Sequence, residues 1–269
     1  MSARATLPVA LTIAGSDSGG GAGIQADLKT FQELDVFGTS AIVALTAQNT
    51  IGVHGVHEVP AAFVTAQIEA VVTDIPPDAT KTGMLASTEL VEAVADAIAH
   101  HALRNVVVDP VASSKHGDAL LAPDALDAVR TRILPLATVV TPNLGEVELL
   151  TGVQVRSVAD MRAAAEAMKA LGPAWVLVKG GHLDEGEDAV DLLYDGVTAT
   201  EIRARRSATT DTHGTGCTLS SAIAAFLARG ADVPTSVRRA KDYITGAIEH
   251  GLRVGAGIGP VDHGWQRRA

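Results

Sequence analysis

The segment Thr212-His-Gly-Thr-Gly-Cys-Thr218 combines two glycines, a cysteine and the start of an apolar stretch. Gly214 and Gly216 would leave backbone N–H groups free at a helix N-terminus, where the helix dipole also attracts an anion. Cys217 falls in the first turn of the same predicted helix, a position that tends to lower the pKa of a thiol. A lone cysteine is otherwise most often an inert core residue, so both interpretations of Cys217 stay open. The segment predicts an anion-binding turn.

Other candidates follow predicted strands, and each also has a purely structural interpretation. Gln48 offers an amide that suits the edge of a nitrogen heterocycle, although polar residues after a strand often serve only in turns. Asp109 ends a run of valines, where a buried carboxylate needs a cation, a metal or backbone donors. Asn143 and Glu146 have the spacing of a capping box, which explains both residues without catalysis. Lys179 is either a solvated lysine or a point charge for phosphate.

A glycine-rich segment, Gly15–Gly23, follows the first predicted strand. Its sequence Gly21-x-Gly23-x-x-Ala26 matches the relaxed form of a dinucleotide-binding fingerprint. That hypothesis fails because no Asp or Glu lies between Asp35 and Glu58, where the ribose-binding acid of the fingerprint belongs. The late glycine segment is not a Walker A loop either, since no Gly-x4-Gly-Lys-Ser/Thr occurs in the chain. The first segment is a flexible turn or a loop that covers a ligand.

The elements that would position these residues alternate along the chain. Short β-branched runs alternate with longer amphipathic stretches, which favours one α/β domain with a mostly parallel sheet and helices on both faces. Asp195-Gly196, inside the alternating stretch Asp188–Arg206, predicts an antiparallel hairpin at one sheet edge. The predicted strands are Val9–Ala14, Ser40–Leu45, Asn105–Asp109, Thr138–Thr141 and Trp175–Lys179, and the predicted helices include Pro60–Thr73, stretches around Leu90–Ile98 and Met161–Leu171, Thr218–Arg229 and Val237–Leu252.

Composition and charge exclude several classes of protein. The 269 residues include 21 Lys and Arg against 31 Asp and Glu, and the resulting net charge of −10 argues against a nucleic-acid-binding surface. The single cysteine excludes an internal disulfide and a Cys-rich zinc site. No apolar run approaches the roughly 18 residues that span a bilayer. We expect a cytoplasmic protein without membrane or nucleic-acid partners.

Seven ordered motifs resemble those of the bacterial hydroxymethylpyrimidine/phosphomethylpyrimidine kinases of thiamine biosynthesis. Any one motif is weak evidence, but seven in the same order are specific, and they extend over most of the chain. The motifs are Gly15–Phe31, Ala47-Gln-Asn-Thr50, Lys81-Thr-Gly-Met-Leu85, Val108-Asp-Pro-Val111, Thr141-Pro-Asn143, Val178-Lys-Gly-Gly-His182 and Thr212–Thr218, followed by Gly257-Ile-Gly-Pro260.

The resemblance implies a ribokinase-like fold with its active site at the strand ends. It also implies two successive phosphoryl transfers from ATP with Mg²⁺ as cofactor. The first acceptor is the hydroxymethyl group of 4-amino-5-hydroxymethyl-2-methylpyrimidine, and the second is the resulting monophosphate. The resemblance also suggests that the protein is a homodimer. We expect each chain to form a single domain over residues 1–269.

The resemblance also assigns roles by motif. It implies that Asp27 and Gln48 bind the pyrimidine, with Gly15 and Met84 around its pocket. Gly214 and Gly216 would form the anion hole, and Cys217 would stand at the catalytic-base position. Lys179, Thr215 and Lys241 would contact ATP or substrate phosphates, and Asp109, Asn143 and Glu146 would form the magnesium shell. Two positions depart from the pattern, since Gly19 and His116 stand where serine is expected. We expect these two changes to affect loop stiffness or rim contacts rather than chemistry.

Two other functions stay open from sequence. A pyridoxine- or pyridoxal-type vitamin kinase would share the fold, but Gln48 and Asp27 together favour an aminopyrimidine because they can satisfy a ring nitrogen and an exocyclic amine. A non-catalytic sensor of the pyrimidine would be expected to lack Cys217, Lys179 or Glu146. All three residues are present.

Overall fold

The computed structural model of the protein describes residues 7–111, 124–181, 183 and 186–268. His116 and His182 of the sequence motifs lie outside these residues. The strands are β1 (Val9–Asp17), β2 (Phe37–Gln48), β3 (Val53–Glu58), β4 (Ala79–Thr82), β5 (Val106–Val108), β6 (Val139–Val140), β7 (Trp175–Lys179), β8 (Asp188–Tyr194) and β9 (Ala199–Arg205). The helices are α1 (Gly23–Glu33), α2 (Ala61–Asp74), α3 (Thr88–His100), α4 (Ala125–Ala128), α5 (Leu144–Thr151), α6 (Met161–Lys169), α7 (Thr215–Ala228), α8 (Val233–Glu249) and α9 (Trp265–Arg268).

The described strands form one sheet in the order β3-β2-β1-β4-β5-β6-β7-β8-β9. Strands β2, β1, β4, β5, β6 and β7 are parallel, and β8 and β9 continue the sheet in antiparallel fashion. The mostly parallel sheet and the β8–β9 hairpin were predicted from sequence, and both predictions are confirmed. In open parallel sheets, ligands bind at the carboxyl ends of the strands, where the polar candidates are found.

Two strands, β3 and β4, were not predicted from the sequence, each for a physical reason. Strand β3 pairs antiparallel with β2 at the other sheet edge. Its side chains are mostly exposed, so no hydrophobic alternation marks it in the sequence. Strand β4 is fully buried although its sequence is Ala-Thr-Lys-Thr. Its lysine, Lys81, is neutralised inside the protein by Asp27, a pairing that local sequence patterns do not reveal.

Helices pack on both faces of the sheet, as predicted. Alternate strand residues divide between the faces, so that Val106 and Val108 join one core and Val107 the other. The first core includes side chains of α2, α3, α5 and α6, and the second includes side chains of α1, α7 and α8. Within the described part of the chain, no helix has both the length and the apolar composition needed to cross a membrane.

Helix boundaries follow local capping signals. Pro60 is the N-cap of α2, and the capping box Ser157–Asp160 leads into α6, both in line with the sequence prediction. Helix α8 begins at Val233, four residues before the predicted start. Asp232 caps it by accepting a hydrogen bond from the Thr235 N–H, and a proline follows in the first turn.

Candidate active site

An ion pair between a half-buried lysine and a buried aspartate lies in front of the N-terminus of α7. Lys179, at the end of β7, donates to Asp109, which follows β5, with Nζ and Oδ1 2.9 Å apart. A Cβ atom added to Gly216, in the first turn of α7, would lie 3.5 Å from both Lys179 Nζ and Asp109 Oδ2. Three elements therefore bring an ammonium, a carboxylate and a helix N-terminus to one point. The expectation that Asp109 needs a partner is confirmed, and the partner is a cation.

The charge on Lys179 is secured by its neighbours. Burial alone would lower the pKa of this ammonium, but attraction from Asp109 and Glu146 outweighs burial and raises the pKa above its usual value. Lys179 is thus a permanent positive charge at neutral pH. A permanent charge at a helix N-terminus is suited to neutralising a phosphate group.

Asn143 and Glu146 form the capping box of α5. The Asn143 side chain accepts from the Glu146 N–H at 2.9 Å, and Glu146 Oε2 accepts from the Asn143 N–H at 2.7 Å. The backbone of Asn143 also forms a bridge with Lys179, so the box lies beside the Lys179–Asp109 pair. The predicted magnesium residues are therefore neighbours on adjacent strand ends. Among the residues described, no cluster of three His, Cys, Asp or Glu side chains has the arrangement of a metal site.

Gly214, the N-cap of α7, sits in a position that only glycine fits. Its φ of +83° is left-handed, and a Cβ atom there would overlap the carbonyl oxygen of Gly21. This contact joins the first glycine-rich segment directly to the turn before α7. Thr215 is the first residue of α7, and its hydroxyl donates to the Thr212 carbonyl at 2.8 Å. The predicted turn at the N-terminus of a helix is present.

The prediction that the helix dipole lowers the pKa of Cys217 is wrong in this structure. Burial raises the pKa of the thiol to about 11, and the opposing attraction of Lys81 is too weak to reverse the effect. The free energy needed to remove a thiolate from water is larger than the stabilisation that the first turn of a helix provides. Cys217 is consequently a neutral thiol at pH 7. It nevertheless lies in the expected place, one residue from Gly216.

Asp27 is fully buried and belongs to a hydrogen-bonded cluster. Its two carboxylate oxygens lie 3.0 and 2.9 Å from Lys81 Nζ, and they also accept from the Thr12 and Ser221 hydroxyls, each at 2.6 Å. These contacts join α1 to β1, β4 and α7. Contact between Asp27 and a pyrimidine stays a prediction, since the described contacts of its oxygens are all internal.

The other predicted ring-binding residues lie near the ends of β1, β2 and β4. A Cβ atom on Gly15 would come within 2.7 Å of Met84 Cε, so these two residues face each other. Gln48, the last residue of β2, is half-buried, and its amide nitrogen lies 3.5 Å from His213 Nε2. A pocket shared by Gly15, Met84 and Gln48 stays a prediction.

Asp17 is an organising residue that the sequence analysis missed. Its carboxylate accepts from the backbone N–H groups of Gly19, Gly21 and Ala22 at 2.8, 3.1 and 2.9 Å. Burial works to raise the pKa of Asp17, but hydrogen bonds from His213 and the backbone outweigh it and lower the pKa. The first glycine-rich segment thus surrounds the Asp17 carboxylate. The N–H groups of Gly19, Gly21 and Ala22 already donate to that carboxylate.

His213 connects Asp17 with the end of the chain. His213 Nε2 lies 2.9 Å from Asp17 Oδ2, and the backbone of His213 forms a bridge with Pro260. The segment before Pro260 lies against the turn after β2, because the Ile258 N–H donates to the Thr50 carbonyl at 2.9 Å. We call residues 255–260 the C-terminal strap. The spacing of the Asp17–His213 pair, 196 residues, hides it from any local pattern.

Lys241 pairs with Asp191 of β8, and both side chains are buried. Nζ and Oδ2 are 2.7 Å apart, and the other carboxylate oxygen accepts from the Gly180 N–H at 3.0 Å. The pair thereby holds the backbone that follows Lys179. Contact of Lys241 with a phosphate stays a prediction, because in this structure its ammonium faces Asp191.

A family model described as phosphomethylpyrimidine kinase matches residues 17–262. The chain belongs to this family. Hydroxymethylpyrimidine/phosphomethylpyrimidine kinase from Streptomyces coelicolor is 59% identical over 97% of this chain and 96% of its own length. The thiamine biosynthesis bifunctional protein ThiED from Geobacter sulfurreducens is 50% identical over 94% of this chain and 51% of its own length.

The ADP complex of pyridoxal kinase from Bacillus subtilis superposes with a TM-score of 0.91 and 42% identity, covering 97% of this chain and 99% of that one. The family match agrees with the family that the sequence motifs resemble. The ribokinase-like fold expected from those motifs is confirmed.

Proposed function

We propose that the chain phosphorylates 4-amino-5-hydroxymethyl-2-methylpyrimidine from ATP, and then phosphorylates the monophosphate to the diphosphate, in thiamine biosynthesis. The observation that carries the proposal is the Lys179–Asp109 pair in front of the N-terminus of α7. Family membership and the names of the relatives support the choice of substrate.

Phosphoryl transfer demands positioning and charge neutralisation more than covalent help. Lys179 would bind the transferred phosphate as a fixed cation, and the N–H groups around Gly214 and Gly216 would hold its oxygens. The buried surroundings strengthen both interactions because little water screens them. Gln48, Gly15 and Met84 would hold the pyrimidine ring so that its hydroxymethyl group points at this position.

The first step requires a proton acceptor, since the attacking group is an alcohol. Cys217 is placed for that role next to the anion-binding turn. As a thiol with a pKa of about 11 it is neutral before substrate binds. A neutral thiol already holds its proton, so Cys217 would act as the base from its thiolate form, after that proton has passed to solvent. The thiolate would then accept the alcohol proton as the new O–P bond forms and the bond from phosphorus to ADP breaks. In the second step the acceptor is a phosphate that is largely ionised at neutral pH, so a base contributes little.

Magnesium is the metal that fits the donor set. Asp109, Asn143 and Glu146 offer oxygen atoms, which Mg²⁺ prefers, and they stand on neighbouring strand ends beside Lys179. Asp109 and Glu146 would hold the ion directly or through water, with Asn143 fixing Glu146. A bound Mg²⁺ would supply charge neutralisation on the ATP phosphates.

Pyridoxal phosphorylation is a second candidate activity. It is supported by the similarity to the pyridoxal kinase of Bacillus subtilis, whose fold and length match this chain closely. Both substrates present a hydroxymethyl group on a nitrogen heterocycle, so one site can serve both. We infer that the aminopyrimidine is preferred, because the closely related sequences carry that name.

The test is ADP release with three acceptors in parallel: the hydroxymethylpyrimidine, its monophosphate and pyridoxal. Turnover with the first two at a higher kcat/KM than with pyridoxal supports the main proposal. The reverse order favours a pyridoxal kinase. Tight binding of the pyrimidine in calorimetry without any ADP release would indicate a sensor instead.

We also propose a single domain for the chain, a cytoplasmic location and a homodimer. The continuous nine-stranded sheet of the described residues supports the single domain. Light scattering on the purified protein, coupled to gel filtration, tests the dimer, and fractionation of producing cells tests the location.

A further inference from the structure

His213 lies where three parts of the candidate site meet. Its Nε2 atom is 2.9 Å from Asp17 Oδ2 and 3.5 Å from the side-chain nitrogen of Gln48. Its main chain precedes Gly214 and accepts from the Val261 N–H at 3.1 Å. A Cβ atom on Gly21 would overlap the His213 ring, so the glycine-rich segment lies directly against this side chain. His213 itself is only 6% exposed.

The hydrogen-bond partners determine where the proton of the His213 ring resides. Asp17 accepts three backbone hydrogen bonds, which favour its ionised form, and an ionised carboxylate can only accept from His213. Nε2 therefore carries a proton, which it donates to Asp17 at 2.9 Å.

This protonation state also determines the orientation of the Gln48 amide. The Nε2–H group bonds to Asp17, and at 3.5 Å its positive charge also repels an NH2 group and attracts a carbonyl oxygen, so the amide oxygen of Gln48 is the atom favoured beside His213. The contacts of Thr46 require the same orientation. Its hydroxyl gives its single proton to the Ser16 carbonyl at 2.9 Å, so it can only accept from Gln48, whose amide oxygen the structure places 3.1 Å away. The structure thus has the amide nitrogen beside His213 and the amide oxygen beside Thr46, and both contacts argue for exchanging these two atoms.

We propose that His213 is a positioning residue that fixes the hydrogen-bonding pattern which Gln48 presents to the ring of the substrate. The inference rests on the proposed function, because it requires Gln48 to contact a nitrogen heterocycle. An amide that rotates freely would present its donor and its acceptor interchangeably. An amide locked by His213 and Thr46 presents one pattern, and a locked pattern rejects rings whose donors and acceptors are reversed.

The experiment replaces His213 by Ala and by Gln and measures KM and kcat for the aminopyrimidine alcohol and for ATP. The Gln side chain places an NH2 group near the former Nε2, and that group can donate to both Asp17 and Gln48. We expect His213→Ala to raise KM for the pyrimidine about tenfold or more while KM for ATP changes less than about threefold, as loss of one oriented hydrogen bond predicts. His213→Gln should restore KM for the pyrimidine.

A double-mutant comparison separates this role from a general loosening of the loops. If His213 acts through Gln48, then His213→Ala should change KM for the pyrimidine little in a Gln48→Ala background. The matched control is His101→Asn, which removes another histidine–carboxylate contact. His101, the C-cap of α3, lies 2.8 Å from Glu69 of α2. This control should leave both KM values unchanged. Calorimetric affinities for the pyrimidine and for ADP give the same comparison for any variant that lacks turnover.

Three results would overturn the inference in distinguishable ways. Equal increases in both KM values for His213→Ala, or additive effects with Gln48→Ala, would show a structural role only. If Gln48→Ala raises KM for the pyrimidine and His213→Ala does not, the ring contact stands and the positioning role fails. If Gln48→Ala itself has no effect, the proposed ring contact fails together with the inference. Should His213→Ala not fold, as judged by its thermal transition, the comparison of His213→Gln with His213→Asn replaces it, and equal KM values in that pair would contradict the proposal.

Discussion

The ammonium of Lys179 and the carboxylate of Asp109 lie 2.9 Å apart, immediately in front of the first turn of α7. The Asp109 carboxylate also accepts hydrogen bonds from the hydroxyl groups of Thr141 and Ser220, both at 3.3 Å. An anion that enters this position therefore meets a cation whose location is fixed by several partners. Preorganised charge of this kind lowers the cost of reaching the transition state.

Replacement of Lys179 by Met should lower turnover in both phosphorylation steps by about 100-fold or more, because the same cation serves both transfers. Steady-state ADP release with the alcohol and with the monophosphate measures this. Lys169→Met is the control, since Lys169 donates to the carbonyls of Pro173 and Ala174, which precede β7, whereas Lys179 ends it. An unchanged rate in Lys179→Met would remove this residue from the phosphate site.

Replacement of Cys217 by Ala should reduce the first step by about 100-fold and the second step by less than about tenfold, since only the alcohol has a proton to lose. Single-turnover measurements with each acceptor separate the two steps. Comparable losses in both would contradict the role of Cys217 as a base. Cys217→Ser serves as the size-matched variant.

Cys217 should react slowly with iodoacetamide in the folded protein. Burial raises the pKa of its thiol from 9.0 to about 11. The thiolate fraction at pH 7.5 is then about 100-fold lower than in the unfolded chain. Mass spectrometry of the alkylated protein, with and without urea, gives the two rates, and the single cysteine makes the assignment unambiguous. Equal rates would show that the thiol is not shielded.

Replacement of Gly214 by Ala should abolish activity and destabilise the fold by more than about 2 kcal/mol, because a left-handed backbone and an overlap with Gly21 both oppose a side chain. Gly181→Ala is the control, since a Cβ there meets no atom of the described residues within 4 Å. Thermal unfolding and ADP release measure both effects. Full activity in Gly214→Ala would mean that the two glycine segments do not need their close approach.

His263 should make the protein less stable as the pH falls from 6.5 to 4. Burial lowers the pKa of its imidazole from 6.5 to about 4, so between these values the unfolded chain binds a proton that the folded chain does not. The loss amounts to at most about 3 kcal/mol. Urea unfolding at pH 7 and pH 4.5 measures it. His263→Gln should shrink the difference between the two pH values, whereas His54→Gln, at an exposed position, should not.

The sequence predicts the parts of the site that are local. The strand ends carrying Asp109 and Lys179, the capping box of Asn143 and the turn at Gly214 all have recognisable signals within a few residues. The electrostatics of Cys217 could not be predicted, because burial by distant segments decides the pKa. The Asp27–Lys81 and Asp17–His213 pairs were equally hidden, since each joins residues far apart in the sequence. Strand β3 lacked a signal because an exposed edge strand needs no apolar alternation.

The C-terminal strap has a consequence for synthesis of the chain. His213 and Thr50 are both held by residues that are synthesised after every described strand, at Pro260 and Ile258. A nascent chain can pair its strands long before this wall of the pocket exists. A premature stop codon after Val254 would accordingly yield a polypeptide that keeps every described strand and lacks the contacts of the strap with His213 and Thr50.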